Sequence, residues 1–460
     1  MACAKTLRHG QPQAGATPGS ALNSYAETYG LEPTRNPRPS SAVTTNSAMK
    51  TRRQFLHHSL LGTAALTLAP APIRAAATGL ISGIEKVVLR REDAPGPCWF
   101  HPRACMIPGK ANQPAQAFMT LQPIMGSDYF GPVHWTTSTD LGKTWTEHQP
   151  APPLGWEKLP TGGNEGVCDV VPEYHAATGA VLALGHNVFY LGQHFDPKQP
   201  PRQPLYAVWK NGAWGPRQRL RWADPRGSYI YTNNCGQRVH LPNGDVLMSF
   251  TFGTEGKPRA VCGVRCSFDG AALVVRETGN ALTNAKGRGL LEPSLTRFGG
   301  RFFLTIRAED NRGYVAVSDD GLNYAPQQAW AWDDGEPLAM STTQQHWLTH
   351  SDALFLVYTR KDATNANVLR WRSPLFLAQV DPKTLRLLRA TERVVLPLVG
   401  DGVKDPNRVP IMGNFHLTNA SPDESWVTVG SWRPKAGLRA DMLMARIRWS
   451  VPNALARAGQ

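Results

Sequence analysis

The chain is poor in charge: only 18% of its 460 residues are Asp, Glu, Lys or Arg. Cysteine is scarce, with 7 in all, and none stand at a zinc-finger spacing. There is no Gly-rich phosphate loop and no His-Glu-x-x-His pair, so no cofactor and no metal are expected from motifs, although Asp-rich loops leave calcium open. No dense basic run or RNA-binding signature occurs, which argues against nucleic acid as a partner. Long apolar runs are missing too. Leu60 to Ala69 is too short to cross a bilayer, so no membrane span is expected. No long amphipathic helix can be traced, which argues against a helical fold.

Glycine, proline and tryptophan are plentiful and spread along the chain, at 42, 38 and 14 residues. Many turns and many aromatic residues suit repeated short strands. The formal charge is +14. Residues 1–77 carry 8 basic and 2 acidic side chains, which leaves 41 basic against 33 acidic beyond them. That excess either solvates the surface or draws anions.

Residues 1–48 lack a sustained apolar period and read as a disordered extension or a mis-called start, with Met49 as an alternative initiator. Thr51-Arg52-Arg53-Gln54-Phe55-Leu56 resembles a twin-arginine export motif. The Leu60 to Ala69 run and the small residues Ala75-Ala76-Ala77 complete a signal peptide over 49–77. Handling by the twin-arginine translocation machinery and a periplasmic or extracellular location follow as expectations. Six cysteines remain beyond it (Cys98, Cys105, Cys168, Cys235, Cys262 and Cys266), either as disulfides or as buried thiols.

Six segments share one form: strand, tight turn, apolar strand. They are Arg103 to Leu121, Asp169 to Leu184, Gln237 to Phe250, Glu292 to Arg307, Gln345 to Tyr358 and Asn414 to Val429. Turns such as Asn243-Gly244 and Gly299-Gly300 accept positive φ at little cost. Runs such as Val246 to Phe250, broken only by Ser249, and Leu354 to Tyr358 are apolar, as in strands covered on both faces. The spacing predicts an all-β, six-bladed β-propeller over 78–450, with 451–460 as a tail; a two-sheet sandwich is the alternative.

Ser138-Thr139-Asp140-Leu141-Gly142-Lys143-Thr144-Trp145 has the S-x-D-x-G-x-T-W form of an Asp-box. Ser318 to Tyr324 is a shorter copy and Ser267 to Gly270 a degraded one. With the hairpin repeat, these boxes resemble the sialidase (neuraminidase) superfamily over about residues 85–449. The resemblance implies a polar pocket on the axis for an acidic saccharide, lined by residues that open each hairpin. Glu292 and Arg307 match the family's glutamate base and a carboxylate-binding arginine. Arg103 in Phe100 to Pro108 resembles the first carboxylate-binding arginine in a loosened form. Arg372, with Arg370 competing, resembles the third. Asp128 stands where the family has its general acid. Asp169, Gln237, His346, Asn414 and Tyr231 complete the candidate lining.

The family's tyrosine nucleophile has no counterpart, because Gly413-Asn414-Phe415-His416 occupies its place. Tyr231 and Tyr358 are left as candidates to approach the axis from other blades. Three readings stay open. One is a hydrolase in which Glu292 or Asp169 activates water and Asp128 is the acid. Another is a uronate lyase using His101, His134, His186, His346 or Tyr231. The last is a sugar-binding propeller without catalysis.

Overall fold

The computed structural model describes residues 79–109, 113–433 and 439–456. The expected extension 1–48 and signal 49–77 lie outside the described residues. Among the described residues the strands form six antiparallel sheets, each one a blade of a β-propeller. The inner hairpins are the six segments that the apolar patterning marks out. They pair Trp99–Ile107 with Gln116–Gly126, Asn164–His175 with Ala180–Leu191, and Val239–His240 with Val246–Gly253. The remaining three pair Leu291–Phe298 with Arg301–Arg307, His346–His350 with Ala353–Tyr358, and Phe415–Ser421 with Glu424–Trp432.

The ring is closed by exchange between distant segments. Ile81–Arg90 pairs antiparallel with Ala440–Trp449 as the outer strand of the sixth blade. The segment Val451 to Ala456 turns back onto blades five and six rather than trailing away. Asn453 is fully buried, and its Nδ2 donates to the Thr349 carbonyl at 2.9 Å. All six cysteines beyond the signal are free thiols, and five are buried.

Strands covered on both faces explain the apolar runs. All eight residues of Val246–Gly253 and all six of Ala353–Tyr358 are buried. The core is split between blades. One cluster joins Leu182, Phe250 and Cys262, another Leu247, Leu304 and Ile306, and a third Phe355, Phe415 and Val427. The turns at Ser138 and Ser318 each follow a third strand. Ser138 Oγ accepts from the Gly142 amide at 2.8 Å, and Asp140 Oδ1 accepts from Lys143 and Thr144. Ser318 and Asp320 repeat this pattern on Gly321, Leu322 and Asn323. Trp145 then wedges against Trp426 of the sixth blade, with ring centroids 6.2 Å apart.

Candidate functional site

The inner strands carry one recurring irregularity. His101, Asp169 and Glu292 have φ of 52°, 57° and 44°, and each sits in a register shift of its hairpin. Asn234, in the gap between Ile230–Thr232 and Val239–His240, has φ 51°. A left-handed L-residue costs roughly 1–2 kcal/mol. A bulge re-aims the side chain that a flat strand would send into the blade interface. Such strain at four successive blades marks the axial end as a functional place.

Two clusters result. In the first, Arg103 is completely buried and its Nη2 donates to Asp169 Oδ1 at 2.7 Å. Burial opposes ionisation of Asp169, but Arg103, with His101 and His186, draws its pKa well below the usual carboxylate range. Burial pushes the His101 pKa down to about 3 and that of His186 to about 4, so both rings are neutral near pH 7. In the second cluster Arg307 Nη1 donates to Glu292 Oε1 at 2.5 Å. The Glu292 amide donates to Thr251 Oγ1 at 3.1 Å, which pins the bulge. Glu292 links the clusters, since its charge is felt by both His186 and Arg372.

Arg372 is buried among like charges. Burial, then repulsion from Arg307 and Arg370, pushes its pKa down to about 9 against the opposing pull of Glu292 and Asp128. Its Nε has no hydrogen-bond partner, and among the described residues it makes no ion pair. Arg370 and Trp371 just before it both have φ 50°. Gly413 makes room for it: a Cβ there would stand 2.6 Å from Arg372 Cδ. Asp128, exposed at φ 53° in the loop between Gln116–Gly126 and Tyr129–Phe130, also acts on Arg370. Three more arginines border this group. Arg259 is pushed down to about 9 by burial and then by Arg202 and Arg288, while Arg288 Nε donates to Glu309 at 2.8 Å.

Thus Glu292, Arg307, Arg372 and Asp128 come together, and Arg103 with Asp169 lies beside them. Asn414 is half-buried directly before Phe415–Ser421, next to Gly413. Other candidates are engaged elsewhere. Gln237 uses its side-chain amide to join blades: Oε1 accepts from the Trp347 amide at 2.7 Å and Nε2 donates to the Trp347 carbonyl at 2.8 Å. Tyr231 turns away from the axis into the core between blades two and three. It packs on Trp222 and Phe250, and its hydroxyl donates to Gln203 at 3.0 Å. Tyr358 is fully buried with its hydroxyl on Glu392 at 2.6 Å. Neither tyrosine stands in for the missing nucleophile. His346 is fully buried, its Nδ1 2.9 Å from Ser294 Oγ and its ring edge-on to Phe415. His134 meets Trp99 edge-on in the first blade, with ring centroids 4.8 Å apart.

Sequence reasoning missed Cys168, Gln122, Arg202, Arg259 and Arg288, which sit in apolar strands or in loops within and between blades and share no motif. A crevice of about 240 Å³, lined by Lys86, Glu92, Arg408 and Arg433, is lined by none of the axial residues.

The architecture is a β-propeller, and its fold is shared with solved sialidases. No family model and no curated protein matches the chain. Solved structures match its fold. Trypanosoma rangeli sialidase superposes with a TM-score of 0.56 at 14% identity, over 80% of this chain and 60% of its own. Hadza microbial sialidase Hz136 gives 0.55 at 12% identity, over 79% of this chain and 68% of its own. A Dyadobacter fermentans protein of unknown function gives 0.54 at 13% identity, over 80% of this chain and all of its own.

Proposed function

We propose that the protein is an exported, sialidase-like glycoside hydrolase that acts on a carboxylated sugar. One observation carries this reading: Arg372, crowded by Arg307 and Arg370, has no carboxylate partner among the described residues. A guanidinium held that way is relieved by an anion, and the planar fork of donors suits a carboxylate. The similarity in fold to the Trypanosoma rangeli sialidase, and the Asp-box hydrogen bonding of the Ser138 and Ser318 turns, support the same class.

With no tyrosine at Gly413-Asn414, the chemistry falls to carboxylates. Glu292 or Asp169, each held beside a guanidinium, takes a proton from water. The water oxygen bonds to the anomeric carbon as the glycosidic bond breaks. Asp128, in the loop, protonates the departing oxygen. A second reading is a lyase on uronate polymers, favoured by the neutral rings of His101 and His186 next to Arg103. Incubation with sialosides and with uronate polymers separates them. Reducing sugar without new double-bond absorbance means hydrolysis, whereas new absorbance means elimination. Arg372→Ala should abolish binding of the acidic sugar; unchanged affinity would remove this proposal.

A further inference from the structure

We propose that His101, Cys168 and Asp169 bind one divalent transition-metal ion of the zinc class, with His186 beside the open fourth position. The three donor atoms lie within 4.8 Å of one another. They come from the inner strands of two neighbouring blades, where bulges turn His101 and Asp169 out of register. His186 is the cross-strand partner of Cys168. His101 and Cys168 are 2% and 7% exposed, so bulk water does not fill the site.

An independent observation points to a ligand. Both ring nitrogens of His101 and Nδ1 of His186 are buried without a hydrogen-bond partner. Buried polar atoms in folded proteins are nearly always paired, so each such group calls for an explanation. Gln122 supplies an outer contact. Its Nε2 is fixed by the carbonyls of Gly131 and Val167 at 3.0 and 2.8 Å. Its Oε1 has no hydrogen-bond partner either. With the ion bound, one imidazole nitrogen would take the metal and leave the other to donate to Gln122 Oε1, the usual arrangement around a metal-bound histidine. Arg103 takes Oδ1 of Asp169 and leaves Oδ2 for the metal.

The donor set is a thiolate, an imidazole and a carboxylate, which suits zinc rather than calcium or magnesium. Ligands of a tetrahedral ion at about 2.0–2.3 Å stand roughly 3.5 Å apart, so a small side-chain rotation closes the set. Thiolate and carboxylate balance the two charges of the ion. Cys168 gives up its thiol proton to solvent as the bond forms.

The test uses the folded chain, freed of metal with chelator and then titrated with Zn²⁺ or Co²⁺ alone. Expected are about one tightly held Zn²⁺ per chain and a thiolate-to-cobalt charge-transfer band. Cys168→Ala and His101→Ala should each weaken uptake by about tenfold or more, and Cys168→Ala should remove the band. Cys105→Ala, a buried thiol outside the set, should change neither. A wild-type chain that takes up no more Zn²⁺ than the His101→Ala/Cys168→Ala double variant, or a cobalt spectrum without the band, overturns the proposal. If the variants fail to fold, the wild-type cobalt spectrum decides. No substrate enters these measurements, so they stand or fall apart from the acidic-sugar reading.

Discussion

Asp169→Asn isolates the electrostatic core of the axial cluster. Arg103 has a side chain 0% exposed and Asp169 one 17% exposed, and they meet at 2.7 Å. Nε and Nη1 of Arg103 already lack partners. Removing one member of a buried pair strands the other charge and costs about 3–5 kcal/mol. Asp169 keeps some water, so the low end applies, about 3 kcal/mol, which is a roughly hundredfold rise in the unfolded fraction. In a folded chain of this size the melting temperature should fall by about 4 °C. The assay is urea and thermal unfolding at pH 7 in chelator, so that no metal contributes. The pH dependence follows from the depressed pKa of Asp169. Its stabilisation is complete above its unfolded value near 3.8 and is lost as pH falls from there through the folded value. The gap between wild type and variant is therefore constant near neutrality and narrows below about pH 4. Arg103→Met/Asp169→Asn should recover part of the loss, since no buried charge is left unpaired. A single variant within about 0.5 kcal/mol of wild type at pH 7 would refute this reasoning.

Gly413→Ala places a Cβ 2.6 Å from Arg372 Cδ and 2.9 Å from Thr343 Oγ1. Overpacking of about 1–3 kcal/mol should displace the guanidinium and raise KM for the acidic sugar by about tenfold; an unchanged KM would misplace Arg372. Ser318→Ala strips a buried acceptor from the Gly321 amide, 2.9 Å away, and should lower stability by about 1–3 kcal/mol with no change in sugar affinity. Unfolding and binding measured on the same sample check both halves. Tyr231→Phe should remove about 0.5–1.5 kcal/mol of stability and leave kcat intact, because its hydroxyl serves the core. A large fall in kcat would return Tyr231 to the site.

The blades were legible because their information is local. Val246 to Phe250 is apolar but for Ser249, on both of its faces, and Asn243-Gly244 turns by its own backbone preference. Glu292 and Arg307 were legible as a pair for the same reason, since one hairpin carries both. Tyr231 was not. In a strand, neighbouring side chains point to opposite faces, so one residue of register decides between axis and core. Gln237 opens its hairpin as expected, yet the approach of Trp347 from another blade claims its amide.

The chain alone determined the repeat, the turns and the residues able to carry charge, since hydrophobic periodicity and turn chemistry act over a few residues. Tertiary structure decided which of those groups meet. Left-handed bulges at His101, Asp169 and Glu292 swing side chains off the strand period, and ring closure sets Arg307 near Arg372 and His101 near Cys168. Such meetings depend on the angle between sheets, which no short stretch of sequence encodes.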